Sequence, residues 1–261
     1  MTIPASLEVD VALVPSLARS WRPAVCLVVD QLRASTTIVT ALDLGCAELL
    51  LAVTLAEARR LGRERGSLLV GERRGLTPRG FDANNSPAEL IAMDLRGRSV
   101  VLSTSNGTPE LCRASAMPAT LVACLANAGA CAAAAVDLAG SLGVGIGVVC
   151  AGTLGQLTLD DVYAAGVVVE RTVEAARARG VDVRLGDGAW AARRLASTYA
   201  DPLAALDESR TGLLVHEIGA EADLELCARV DVSATVPILR PGSPLRIERL
   251  ERTRGPELAG V

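Results

Sequence analysis

Short apolar runs alternate with stretches of helical periodicity over the first 150 residues, and that alternation predicts the fold. Residues 7–14, 25–30, 49–53, 68–70, 99–102, 119–123 and 144–149 read as strands, most of them apolar on both faces. Between them, residues 36–44, 55–65, 87–93 and 127–142 read as helices. Gly45 and Gly66 stand where helix stops belong, and Ser86-Pro87 forms a helix start. This βαβαβ rhythm predicts an α/β fold, layered α/β/α with a parallel or mixed sheet. Beyond residue 158 the pattern turns more helical, at 159–179, 188–196, 202–207 and 223–229, with a last strand at 236–239. Residues 249–261 are expected to form a disordered tail. No composition break separates domains, so residues 1–261 are expected to form a single domain, or two closely packed subdomains divided near residue 150.

Three of the strands end in polar, small-residue loops, at 30–37, 103–108 and 150–156. Ligands of open α/β sheets collect beyond the carboxyl ends of strands, so these loops are expected to share a crevice. The first loop, Asp30-Gln31-Leu32-Arg33-Ala34-Ser35-Thr36-Thr37, sets a carboxylate, a guanidinium and three hydroxyls at a helix start. A helix N-terminus attracts anions, and Arg33 offers a planar fork for phosphate or sulfonate. Asp30 would repel that anion unless a metal or a proton intervened. The stretch reads either as an anion site with a metal or as a capped helix with a surface Asp–Arg pair. Residues 71–87 form a long connection rich in Gly, Pro and charge, and it holds the only Phe, as an anchored functional loop would. Gly143, Gly145 and Gly147 lie before or within a strand, where a dinucleotide loop would follow one, and read as packing glycines.

Hydrophobic residues make up 50% of the chain but aromatic ones only 2%, so the core must be built from Ala, Val and Leu. A net charge of −4 gives no footprint for nucleic acid, and no uninterrupted apolar run reaches the roughly 18 residues of a membrane helix. Residues 1–10 lack a signal-peptide pattern, so a cytoplasmic location is expected. All 26 basic residues are Arg, which removes Schiff-base chemistry and the phosphate-loop lysine. The seven cysteines form no CxxC pair and read as small buried hydrophobes, Cys150 included. His216, the only histidine, excludes paired-histidine phosphatases and HExxH zinc sites, and reads as a surface or helix-end residue. Gln156 stands where a Cys150 nucleophile would need Arg, and Leu32 where an Asp30 nucleophile would need a second Asp. Carboxylates, arginines, amides and hydroxyls remain, a set that suits Mg²⁺.

An ordered series of motifs then narrows the reading. It comprises residues 30–37, Gly71-Glu72-Arg73, Gly80-Phe81-Asp82 with Asn85-Ser86-Pro87, and Asn106-Gly107-Thr108. Cys150-Ala151-Gly152 with Asp160-Asp161, and Asp223, Cys227 and Pro237, complete it. From about residue 24 to 237 the chain resembles the 2-phosphosulfolactate phosphatase family, Mg²⁺-dependent enzymes of coenzyme M biosynthesis. Departures are Asn84 where Gly is usual, Arg74 and Gln31 in place of smaller or apolar residues, and Thr211 where many members carry His. The resemblance implies a phosphatase that converts a small polyanionic monoester, 2-phosphosulfolactate, to sulfolactate and phosphate. Asp30, Glu72 and Asp161 become candidate Mg²⁺ ligands, with Asp30, Arg33 and Asp161 as the catalytic group. Arg33, Ser35, Thr36, Thr37, Arg73, Asn106, Gly107 and Thr108 form the candidate substrate-binding set. Asp82 and Asn85 either orient metal waters or hold their turn. The nucleophile stays open between water and Asp30. A non-catalytic binding protein or sensor for small phosphates or sulfonates is the alternative, and a homodimer is the default assembly.

Overall fold

The computed structural model describes residues 6–22 and 24–251, so the expected disordered tail lies outside the described residues from position 252 on. The chain opens with β1 (Ser6–Ala12), β2 (Ala24–Val29), α1 (Ala34–Asp43), β3 (Glu48–Leu51), α2 (Leu55–Arg65) and β4 (Leu68–Gly71). It continues with α3 (Pro87–Ile91), β5 (Ser99–Ser103), α4 (Gly107–Ala114), β6 (Ala119–Val122), α5 (Ala128–Leu142) and β7 (Gly145–Cys150). The last part holds α6 (Leu159–Arg177), β8 (Asp182–Leu185), α7 (Asp187–Ala196), α8 (Pro202–Asp207), α9 (Arg210–Glu217), α10 (Glu221–Cys227), β9 (Pro237–Arg240) and β10 (Arg246–Arg249). The α/β class and the helical C-terminal part follow the sequence reading.

β2 explains why its sequence is apolar throughout. Val25, Leu27 and Val29 face one core with α5 and α6, while Cys26 and Val28 face a second core with α1. Helix α5 belongs to the helical stretch Leu125–Leu142, which is long and apolar enough to cross a membrane. Here its Ala128, Cys131, Ala132, Ala135 and Ala139 are fully buried in the fold, where small residues allow close packing. Gly147 is a packing glycine in fact: a Cβ there would stand 2.2 Å from the Trp21 ring.

All ten strands of the described residues join one sheet, in the order β4-β5-β3-β10-β9-β6-β2-β7-β1-β8. The first three are mutually parallel, as are the last five, and the antiparallel β9–β10 hairpin joins the two blocks. Three successive antiparallel pairings, β3–β10, β10–β9 and β9–β6, leave the blocks running in opposite senses. A flat sheet would therefore put their carboxyl ends at opposite edges. Five strand steps separate β5 from β2, and at about 20–25° per step the sheet twists by about 100–125° between them. That twist turns the ends of β2, β4, β5 and β7 toward one another around a shared core with Ile38 of α1, Leu90 of α3 and Leu111 of α4.

The strand β8, the helix α9 and the strand β10 escaped the sequence reading. In β8 no residue is fully buried, and in β10 only Ile247 is, between charged neighbours, so neither shows an apolar run. Helix α9 buries only Gly212 and Val215, which leaves its apolar stripe too thin to read.

Candidate active site

The loops after β2, β4, β5 and β7, together with the starts of α6 and α9, enclose a cavity of about 440 Å³. Its floor is acidic. Asp30, Glu72, Asp160 and Asp161 line it, and each is buried.

Asp30 follows the end of β2. Its Oδ1 accepts the Ala34 N–H at 3.2 Å, and its Oδ2 stands 2.6 Å from where a Cβ on Gly107 would be. The N-terminus of α1 is thus already occupied by an anion, the chain's own carboxylate. Burial pushes the Asp30 carboxyl up to about 7, and the Asp160 and Glu72 carboxylates add to the effect against the N–H groups of Ala34 and Gly107. Asp161, in the first turn of α6, accepts the Gln31 N–H at 2.7 Å on Oδ1 and the Gly152 N–H at 2.7 Å on Oδ2. It therefore ties together the ends of β2 and β7. Burial, then the charges of Asp160 and Asp30, hold its carboxyl well above the usual range. Glu72 accepts N–H groups from Gly75 at 2.9 Å and Ser105 at 2.6 Å, joining the ends of β4 and β5.

Asp160 belongs to the motif series, but the sequence reading gives it no role of its own in the site. Burial pushes it up to about 6, opposed by its own backbone N–H and by the hydroxyls of Thr158, Ser209 and Thr211. Its Oδ1 is buried without a hydrogen-bond partner, and so is Oδ1 of Asn85 on the same cavity. Thr211 lines the cavity too, so its hydroxyl serves Asp160 where many relatives were expected to carry His. Only the fold could reveal this grouping, because it joins α6 to α9.

The site fits a hard divalent cation. Burial, with neighbouring carboxylates, raises the proton affinity of Asp30 and Asp161, and two carbonyl-type oxygens, Asp160 Oδ1 and Asn85 Oδ1, are orphaned beside them. Among the described residues, no three His, Cys, Asp or Glu side chains converge as a ready-made cage. Mg²⁺ needs none, since it is commonly held by one or two carboxylates with waters and substrate oxygens completing the shell.

Arg33 lines the cavity and is buried. Its Nη1 donates to Asp223 Oδ2 at 2.5 Å, and its Nη2 to Gly75 O at 3.3 Å and Asn84 Oδ1 at 3.4 Å. Asp223 in turn accepts Ser86 Oγ at 2.8 Å and the Ala88 N–H at 3.0 Å. Asn84 does not have the left-handed backbone that would explain an exchange for Gly; its side chain works instead, donating to Gly75 O at 2.9 Å. Gln31 also braces the site, donating to Cys227 O at 2.7 Å and accepting the Leu125 N–H at 3.0 Å.

Several expected substrate-binding groups are placed elsewhere. Ser35 Oγ accepts the Asp30 N–H at 2.9 Å, and Thr36 Oγ1 donates to Gln31 O at 3.3 Å. Thr108 Oγ1 accepts the Thr104 N–H at 3.1 Å, while the Thr108 N–H donates to Thr104 Oγ1 at 2.9 Å, so both hydroxyls secure the start of α4. Thr37 Oγ1 is buried without a partner, and neither it nor Ser35, Thr36, Gly107 or Thr108 lines the cavity. Asn106 does, and its Oδ1 accepts the Leu154 N–H at 3.3 Å. Arg73 does not: its guanidinium donates to Glu72 O, Ser103 O, Val53 O and Ser103 Oγ and bolts three strand ends together. Asp82 holds its loop by accepting the Leu69 N–H at 2.7 Å. The Cys150 thiol is fully buried, and burial beside Asp161 and Asp160 keeps it protonated. His216 lies exposed in the last turn of α9, against Asp207 at 3.1 Å.

Residues that sequence reading did not propose for the site are Asp160, Arg74, Leu154 and Arg210. All four line the cavity.

Comparison with known proteins identifies the family. Residues 13–242 match the family model described as 2-phosphosulpholactate phosphatase. A probable 2-phosphosulfolactate phosphatase of Deinococcus radiodurans is 43% identical over 229 residues, covering 87% of this chain and 92% of the relative. That of Thermus thermophilus is 40% identical over 220 residues, covering 84% and 89%. That of Thermotoga petrophila is 35% identical over 235 residues, covering 90% and 96%.

Proposed function

The chain belongs to the 2-phosphosulfolactate phosphatase family, and on that premise we propose that it hydrolyses 2-phosphosulfolactate to sulfolactate and phosphate with Mg²⁺. The observation that carries this reading is one cavity in which a buried acidic floor adjoins the fixed guanidinium of Arg33.

Asp30 and Asp160 would hold the cation, with Asn85 Oδ1 toward its shell and Glu72 and Asp161 as further ligands. Bound there, Mg²⁺ would offset the charge of the phosphoryl oxygens and acidify water. Arg33, immobilised by Asp223, keeps N–H groups uncommitted by its three hydrogen bonds and directs them to a phosphoryl oxygen. Because its geometry is set before substrate arrives, little reorganisation opposes the transition state. Water is the nucleophile this reading assigns, since Asp30 is given to the cation and its Oδ1 also accepts the Ala34 N–H. The P–O bond to the sulfolactate oxygen breaks, water oxygen joins phosphorus, and a water proton ends on the sulfolactate hydroxyl. Seven free cysteines suit a reducing, cytoplasmic setting.

Phosphate release from 2-phosphosulfolactate tests the reading. Release with Mg²⁺ that stops with EDTA is expected. No release with any divalent cation, alongside tight binding of the ester, would make the protein a sensor instead.

A further inference from the structure

The proposed substrate carries a sulfonate and a carboxylate besides its phosphate, and the floor of the cavity has no positive charge to spare for them. Arg33 is neutralised by Asp223, and the other floor side chains are acidic. The remaining cations on the cavity wall are Arg74 and Arg210, both exposed. Among the described residues Arg74 has no hydrogen-bond or ion-pair partner, and Arg210 has only Gln156 Oε1, at 2.8 Å.

A second observation singles out Arg74. Arg73 and Leu76 exchange backbone hydrogen bonds, at 2.9 and 3.2 Å, around a two-residue turn in which Arg74 has φ 53° and Gly75 φ 79°. Such a turn prefers Asn-Gly or Asp-Gly, because a long side chain in the left-handed region is strained. The chain therefore keeps an arginine at the cavity mouth against the local backbone preference. Strain held beside a site of chemistry points to a role in that chemistry.

We propose that Arg74 and Arg210 form the subsite that recognises the second anionic group of the substrate and so set the selectivity of this enzyme. The assignment rests on the hydrolase reading above. It makes the chain selective for phosphate esters with an added sulfonate or carboxylate over esters that carry phosphate alone.

The test compares 2-phosphosulfolactate with phenyl phosphate, which has no second anion, in the Mg²⁺-loaded enzyme. The readout is the ratio of the two kcat/KM values for wild type, Arg74→Asn, Arg210→Gln and the double variant. The ratio is expected to fall about tenfold in each single variant, through KM for 2-phosphosulfolactate, and further in the double variant. Arg74→Asn should also raise Tm, because Asn suits the turn. A merely structural arginine would not combine higher Tm with lost selectivity. An unchanged ratio, or equal losses on both esters, overturns the subsite and leaves the hydrolase reading intact. Wild type that cleaves phenyl phosphate but not 2-phosphosulfolactate overturns both.

Discussion

The floor and the rim of the cavity are built on opposite principles. On the floor, Asp161, Glu72 and Arg33 are each locked by two or more hydrogen bonds to parts of the chain far apart in sequence. On the rim, Arg74 and Leu154 occupy the same position of two like turns, with φ 53° and 54°, each followed by a left-handed glycine. Thr153 and Gln156 exchange backbone hydrogen bonds at 3.0 Å just as Arg73 and Leu76 do. Neither Arg74 nor Leu154 is suited to that backbone, and Leu154 is 81% exposed. The floor thus spends side chains on fixing geometry before substrate binds, whereas the rim keeps strained side chains free for what enters.

Substitutions separate the two. Asp223→Ala leaves Arg33 buried and unpaired and is expected to lower stability by about 3–5 kcal/mol, while Arg210→Gln on the rim stays within about 0.5 kcal/mol. Similar small losses in urea unfolding of both would erase the distinction.

Asp160→Asn probes the floor through pH. The folded carboxyl lies near 6 against an ordinary 3.8, so the folded state holds its proton longer than the unfolded chain. Its ionisation therefore removes stability as pH rises from about 4 to about 6. In metal-free protein the Tm of Asp160→Asn, relative to wild type, should climb by a few degrees across that range and then level. A gap that shrinks with rising pH would mean that the carboxylate is stabilised where it sits.

The smallest effect belongs to the rim. Leu154→Asn relieves a left-handed leucine and should add about 1 kcal/mol of stability. A loss instead would show that Leu154 packs in a way its exposure conceals.

These differences also decide what was legible in the sequence. The motif series points to Asp30, Glu72 and Asp161, and their places at strand ends and a helix start bring all three to one cavity. The hydroxyls of Ser35, Thr36 and Thr108 stood in the same places, yet they serve backbone groups or neighbouring caps, and sequence does not separate the two uses. Arg73 looked equivalent to Arg33 because both follow a carboxylate; the chain ties one to carbonyls and leaves the other in the cavity. Asp160 needed α9, whose thin apolar stripe hid the helix that brings Ser209 and Thr211 beside it. The rim was the least legible. Arg74 and Leu154 look like ordinary exposed loop residues until the backbone shows a positive φ.

If the acidic floor holds the divalent cation on which phosphate release depends, removing one of its carboxylates weakens metal binding. Calorimetric titration of Mg²⁺ into metal-free protein tests it most directly, with Asp30→Asn for the floor and Leu154→Asn for the rim. Wild type and Leu154→Asn should bind with equal affinity, and Asp30→Asn at least about tenfold more weakly, roughly 1.4 kcal/mol. Undiminished binding by Asp30→Asn would mean that the cation is not held by the acidic floor.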